Sequence, residues 1–357
     1  MAAPKKSSPK NAPKKSGPKK SSSSKRSAKD RTRLAKRAAA PRIGISLSSE
    51  EHGPDDLVRY AAMAAEHGFA DIWVSDHFHP WTNRQGQSPF VWSVLGGIAA
   101  IAPELRLGTG VTCPTMRIHP AIIAQAAAST AIMAKGGFFL GVGTGENLNE
   151  HILGDRWPAA DERLEMLEEA IGVIRLLWQG GSQSHRGWHY RVENARIYSL
   201  PDEPPPIYVS AFGPKACSLA ARVGDGLVTT SPDADILKQY RKEGGRGPAI
   251  AGPKVCWAPD EASAARTAFE LWPHMGLGGE LSQELATPAH FEQACETVRE
   301  EDALASLPMG PDPEKHVAML REFLDVGFDE VYVHQIGTDQ ERFLAFYRDE
   351  VIPRLSL

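Results

Sequence analysis

Cysteine is scarce in this chain, and the four present (Cys113, Cys217, Cys256 and Cys295) stand far apart with no CxxC pair. That spacing argues against a disulfide scaffold or a zinc knuckle and agrees with a reducing cytoplasm. No apolar run approaches the ~20 residues needed to span a bilayer. Acids are almost missing from the first stretch, where residues 1–41 hold ten Lys and four Arg against one acid, Asp30. This stretch supplies +13, leaving −17 for the remainder of a chain whose net charge is −4. It lacks the apolar segment of a signal peptide. A Lys/Ser/Pro tail of this kind has too little hydrophobic surface to bury and is expected to be disordered. Weak, salt-sensitive contact with a polyanion is one role it suggests, and a solvated extension without a partner fits the composition equally well.

From residue 42 to residue 357 the pattern changes to one domain of short β-rich runs separated by helical periods. Strands are expected at Arg42–Leu47, Phe69–Val74, Leu105–Val111, Phe138–Val142, Ile207–Ala211, Asp225–Thr230, Lys254–Ala258 and Glu330–Gln335. Helical patterns lie between most of them, for example at Leu57–His67, Asp161–Trp178 and Lys215–Val223. A hairpin is expected around His185–Tyr198, and a long insertion over about Asp260–Asp302. Eight strands alternating with helices point to parallel βαβ units closing into a (β/α)8 TIM barrel, an α/β fold with room here for insertions.

In such a barrel the residues just after each strand converge on one face. The second strand runs into Ser75-Asp76-His77, with Pro80 ending it and Trp81 following. A carboxylate, an imidazole and an indole delivered together suit acid–base chemistry. The third strand ends in Gly110-Val111-Thr112-Cys113-Pro114, and the fourth in Gly141-Val142-Gly143-Thr144-Gly145-Glu146, with Asn149 close behind. The fifth is followed by Phe212-Gly213-Pro214-Lys215, the sixth by Thr229-Thr230-Ser231, and the eighth carries His334.

The glycine run after the fourth strand resembles a dinucleotide fingerprint, but Glu146 stands where the third glycine belongs. Glycines there would let the backbone approach a flat ring or a phosphate closely, or would serve a structural turn. His77 and His79 form an HxH pair, but a catalytic metal normally takes three protein ligands, and no third is evident nearby. His77 with Glu146 reads better as an acid–base pair drawn from two strands.

Three motifs, in order, carry a resemblance: Ser75–Trp81, Thr112–Arg117 and Gly143–His151. They resemble the luciferase-like oxidoreductases, and within them the branch of the coenzyme F420-dependent glucose-6-phosphate dehydrogenases. The resemblance covers about residues 42–355. It implies a barrel that binds F420, a 5-deazaflavin hydride carrier, and a homodimer acting on a small-molecule substrate. It implies that His77 exchanges the substrate hydroxyl proton, that Glu146 is a second acid–base group near the ring, and that Trp81 walls the site. It places Asp76, Gly110, Val111, Cys113, Thr144, Gly145, Asn149, Phe212, Gly213, Lys215 and Ala216 around the coenzyme, Thr230 near the substrate, and a non-proline cis peptide at Gly110-Val111.

Cys113 departs from the family's Thr at that position. Further, those enzymes hold the substrate phosphate with two Lys and an Arg, whereas the matching segments Thr230–Asp233, Phe291–Gln293 and Ala305–Pro308 contain no basic residue. A dianion without cationic partners binds poorly, which speaks against glucose 6-phosphate. The expected function is therefore F420-dependent hydride transfer with a small alcohol or carbonyl compound. FMN on the same barrel, in a monooxygenase or reductase, is the alternative. A non-catalytic protein recruited to polyanions through the tail is the rival from another class.

Overall fold

The computed structural model describes residues 41–355, so the basic tail expected over residues 1–41 lies, but for Pro41, outside the described residues. Strands β1 (Arg42–Leu47), β2 (Asp71–Val74), β3 (Arg106–Thr109) and β4 (Phe138–Val142) come first. After a hairpin of β5 (Gln183–Arg186) and β6 (Arg191–Ala195) follow β7 (Ile207–Ser210), β8 (Gly226–Thr229), β9 (Ala249–Ala251), β10 (Lys254–Val255) and β11 (Glu330–Gln335). The neighbours run β1-β2-β3-β4-β7-β8-β9-β11, and β11 pairs back onto β1, from Arg42 opposite Glu330 to Ser46 opposite His334. All these pairings are parallel, so the sheet is the closed barrel the alternation predicts.

Strand periodicity sorts the barrel interior into layers. On β11, Glu330, Tyr332 and His334 occupy successive interior positions. Glu330 bonds Arg106 near the strand starts, Tyr332 stacks on Trp73 with centroids 4.7 Å apart, and His334 bonds Glu51 near the strand ends. The middle layer is apolar and aromatic: Trp73, Phe139, Tyr208, Val228, Ile250 and Tyr332. It plugs the barrel, so the polar groups at the strand ends stand on a packed floor. A second, larger core fills the space between the strands and the outer helices.

Two elements differ from the sequence reading. The seventh stave begins earlier than expected, as β9, and continues as β10 beyond Gly252-Pro253. Trp73 explains the interruption: a Cβ on Gly252 would meet its ring at 2.2 Å, so only glycine fits there. A helix at Ala234–Lys242 was also not anticipated, although Asp233 caps it through Asp235 N and Ile236 N and Ile236, Leu237 and Tyr240 are buried. The expected hairpin forms as β5 and β6. The insertion folds into helices Glu261–Leu271, Pro288–Cys295 and shorter turns, and its Trp272, His274 and Phe291 pack at the barrel mouth. Among the described residues no helix is long and apolar enough to cross a membrane.

Candidate active site

The candidate centre is built where β1 and β2 end. The Nδ1 of His77 lies 3.2 Å from the carbonyl of His79, which can only accept, so Nδ1 carries a proton and Nε2 is the nitrogen that can take up a second one. Glu50, in the loop after β1, places Oε1 3.4 Å from that Nε2. Its other oxygen accepts from Ser48 Oγ at 2.8 Å and from Ser75 Oγ at 2.6 Å. Burial alone would raise the Glu50 carboxyl, but the adjacent His77 and these two hydroxyls outweigh it and hold it down to about 2. A fixed carboxylate is thus ready to stabilise an imidazolium whenever His77 takes a proton.

Behind this pair a second group of charges ties three strand ends together. The Asp76 carboxylate accepts from Thr112 Oγ1 at 2.7 Å and from Arg117 Nη2 at 2.9 Å, so both oxygens are engaged by the protein. Asn149 is buried and accepts from the backbone N–H of Phe78 and His79, while its amide donates to Glu146 Oε2 at 3.3 Å. Asn149 therefore ties the backbone just after His77 to Glu146, while the carboxylate beside His77 is that of Glu50. Gly145 has φ +74°, and a Cβ there would strike Cys113 Sγ at 2.7 Å. Cys113 itself is buried against Thr115 Oγ1 at 3.0 Å, and burial pushes its thiol well up, so it stays neutral.

Glu150 accepts from the Arg117 N–H at 2.9 Å, yet burial outweighs the guanidinium and pushes its carboxyl up to about 7. A folded-state value above the unfolded one means that stability is greatest at low pH and falls as pH rises toward 7, by about 3 kcal/mol in all. Glu150→Gln keeps the acceptor for Arg117 but cannot ionise. The fall in urea midpoint between pH 5 and pH 7.5 is expected to flatten in this variant; an unchanged slope would show that Glu150 is already ionised at the lower pH.

Trp81 stands between two imidazoles, its ring centroid 5.0 Å from that of His77 and 4.9 Å from that of His274, with Phe291 edge-on at 5.2 Å. His79 turns elsewhere, its Nδ1 donating to the Leu148 carbonyl at 2.8 Å. On the far side, Glu51 accepts from His334 Nε2 and Trp272 Nε1, both at 2.8 Å, and from Gly337 N at 2.7 Å. Lys254 enters the same mouth from β10.

The remaining expected residues stand at or just beyond the ends of β3, β4, β7 and β8. The peptide Gly110-Val111 is cis, as the resemblance implies, and Val111 is half-buried. Thr144 and Ala216 are half-buried, and Phe212 is 59% exposed. Gly213 heads helix Pro214–Val223 without a side-chain cap, and a Cβ there would meet nothing within 4 Å, so this helix start is open to a ligand. Lys215 is exposed and its Nζ pairs with Asp161 at 2.6 Å. Thr230 is exposed beyond the end of β8. A half-buried shelf at Val111 and Thr144 beside an open helix start suits a flat ring that carries a phosphate.

Sequence reasoning passed over Glu50, Glu51, Lys254 and His274. For the glutamates a signal existed, because Ser48–His52 is a polar run directly after a strand and falls under the same rule as Ser75–His77. In sequence Lys254 is one more residue of the seventh strand, and His274 lies in an insertion with no readable period.

Known proteins share this architecture. The luciferase-like monooxygenase family matches residues 38–330. An F420-dependent glucose-6-phosphate dehydrogenase of Nakamurella multipartita is 37% identical over 88% of this chain and 96% of its own length. An F420-dependent hydroxymycolic acid dehydrogenase of Mycobacterium tuberculosis is 37% identical over 89% of each chain. An F420-dependent secondary alcohol dehydrogenase, solved with an F420-acetone adduct, superposes with a TM-score of 0.80 at 26% identity, covering 89% of this chain and 99% of that one. The chain belongs to the luciferase-like monooxygenase family, in the branch that contains the F420-dependent glucose-6-phosphate dehydrogenases.

Proposed function

We propose that this protein is a coenzyme F420-dependent oxidoreductase that acts on the CH–OH group of a small alcohol, or on the corresponding carbonyl compound. The observation that carries this reading is the His77 imidazole, with the Glu50 carboxylate 3.4 Å from its Nε2, at the mouth of a barrel whose relatives bear F420-dependent names. When bound, the deazaflavin supplies hydride transfer at its C5. The protein's share is to hold the ring and to manage protons. Oxidation of an alcohol requires its hydroxyl proton to leave as the carbinol hydride departs. His77 Nε2 receives that proton, and Glu50 compensates the charge formed on the ring. Glu146 serves as the second acid–base group, Trp81 walls the reacting face, and the uncapped start of helix Pro214–Val223 takes an anionic part of the coenzyme.

Glucose 6-phosphate does not fit this mouth. The Glu292 carboxylate accepts from Asn83 N and Nδ2, Phe291 is buried against Trp81, and Asp233 caps a helix, so the segments matching the phosphate site present acids and an aromatic ring. Titration of the purified protein with F420 and with FMN, followed by absorbance, tests the coenzyme. F420 is expected to bind and to be reduced on adding a secondary alcohol. Tight binding of FMN without binding of F420 would overturn the proposal.

A further inference from the structure

Two polar groups at the mouth have no function in the scheme above. Lys254 reaches the barrel interior beside His334, its register partner on β11, and its ammonium lies 4.5 Å from the centroid of the Trp272 ring. Among the described residues it has no hydrogen-bond acceptor and no carboxylate within ion-pair distance, although burial lowers its basicity. His274 is 7% exposed, stacked between Trp81 at 4.9 Å and Trp272 at 5.0 Å. Its Nδ1 is sealed without a partner, and its Nε2 also lacks a protein partner but is not sealed, which leaves that nitrogen open to the mouth.

A buried donor without an acceptor is costly, and the half-buried Lys254 ammonium bears part of that cost. Neither nearby carboxylate explains them. Glu50 is held by Ser48, Ser75 and His77, and Glu51 by His334, Trp272 and the Gly337 N–H, so both keep their geometry without Lys254. Burial and the neighbouring ammonium push His274 down to about 3, so its imidazole is neutral and able to donate one hydrogen bond. The missing acceptor comes from a guest. Two buried carboxylates against one ammonium leave no surplus of positive charge for a phosphate dianion, so that acceptor is an uncharged oxygen.

We propose that Lys254 and His274 form a second substrate subsite, which binds a hydroxyl or carbonyl oxygen carried by the substrate away from the reacting carbinol. Resting on the dehydrogenase reading above, this narrows the substrate to a polyoxygenated, non-phosphorylated alcohol. The test compares kcat/KM of the F420-loaded enzyme for butan-2-ol with that for butane-1,3-diol, butane-2,3-diol and longer diols. At least one diol is expected to exceed the mono-alcohol tenfold or more, because a site built to bond an oxygen discriminates against its absence. Lys254→Met, and His274→Phe with its stacking retained, are each expected to lower that ratio about tenfold. Each should also weaken binding of the same diol to the coenzyme-free protein, followed by tryptophan fluorescence. No preference for any diol, or a ratio that survives both substitutions because all substrates slow equally, would overturn the subsite while leaving the dehydrogenase reading intact. Failure to bind F420 would overturn both.

Discussion

Replacing His77 by Ala is expected to lower kcat for alcohol oxidation by a factor of about 10²–10⁴ while changing F420 affinity little, the range typical for loss of one positioned acid–base group. The asymmetry follows from geometry. His77 contacts Glu50, Trp81 and the His79 carbonyl, whereas the shelf at Val111 and Thr144 and the open helix start at Gly213 belong to β3, β4 and β7. Glu50→Gln keeps an acceptor for Ser48 and Ser75 but removes the charge that stabilises the imidazolium. Its loss is expected to be smaller, roughly tenfold or more, and to fall on kcat. Because the two residues act as a unit, the double variant should be little slower than His77→Ala alone. Steady-state kinetics with a deuterated carbinol, alongside a coenzyme titration, separates these effects. Wild-type turnover in His77→Ala would remove the imidazole from the chemistry. Additive losses in the double variant would show that Glu50 acts elsewhere.

The barrel and its mouth were readable to the extent that local chemistry agreed with the fold. Seven staves lie close to where the apolar runs place them, because a strand buried on both faces has few alternatives. The seventh stave, β9, escapes because Ala249–Ala251 is enclosed by Gly247-Pro248 and Gly252-Pro253 and reads as a loop; its pairing with β8 and β11, and the Trp73 ring against Gly252 just beyond it, are contacts between positions far apart in sequence. The helix Ala234–Lys242 carries an N-cap signal in Ser231-Pro232-Asp233, residues that also match the family's phosphate-site segment. At the mouth, Asp76, His77 and Trp81 announce themselves by following a strong strand. The sequence pairs His77 with Glu146, whereas the carboxylate in contact with His77 comes from the neighbouring β1 loop. Register between β1 and β2, which brings Leu47 beside Val74, makes that pairing, and no local pattern reveals it.

At the opposite end of the barrel, Arg106→Met is expected to destabilise the fold by about 3–5 kcal/mol while leaving the chemistry of the folded enzyme unchanged. The guanidinium donates to Glu330 Oε2 at 2.6 Å, to Asp71 Oδ1 at 3.3 Å and to the hydroxyls of Tyr332 and Tyr208, and it covers the Phe139 ring. Side-chain exposure is 14% for Arg106 and 8% for Glu330, so solvent cannot replace the lost partner. Asp71 retains the Arg42 guanidinium at 2.6 Å, but Glu330 is left with the Tyr332 hydroxyl alone. A buried carboxylate stripped of its cation is the origin of the cost, since removing one member of such a pair is far more damaging than removing both. Adding Glu330→Gln should therefore recover much of the loss. Urea unfolding of the wild type, both single variants and the double variant measures the coupling. A double variant no more stable than Arg106→Met would place the cost in lost packing over Phe139 and the tyrosines, with the charge as a minor contributor.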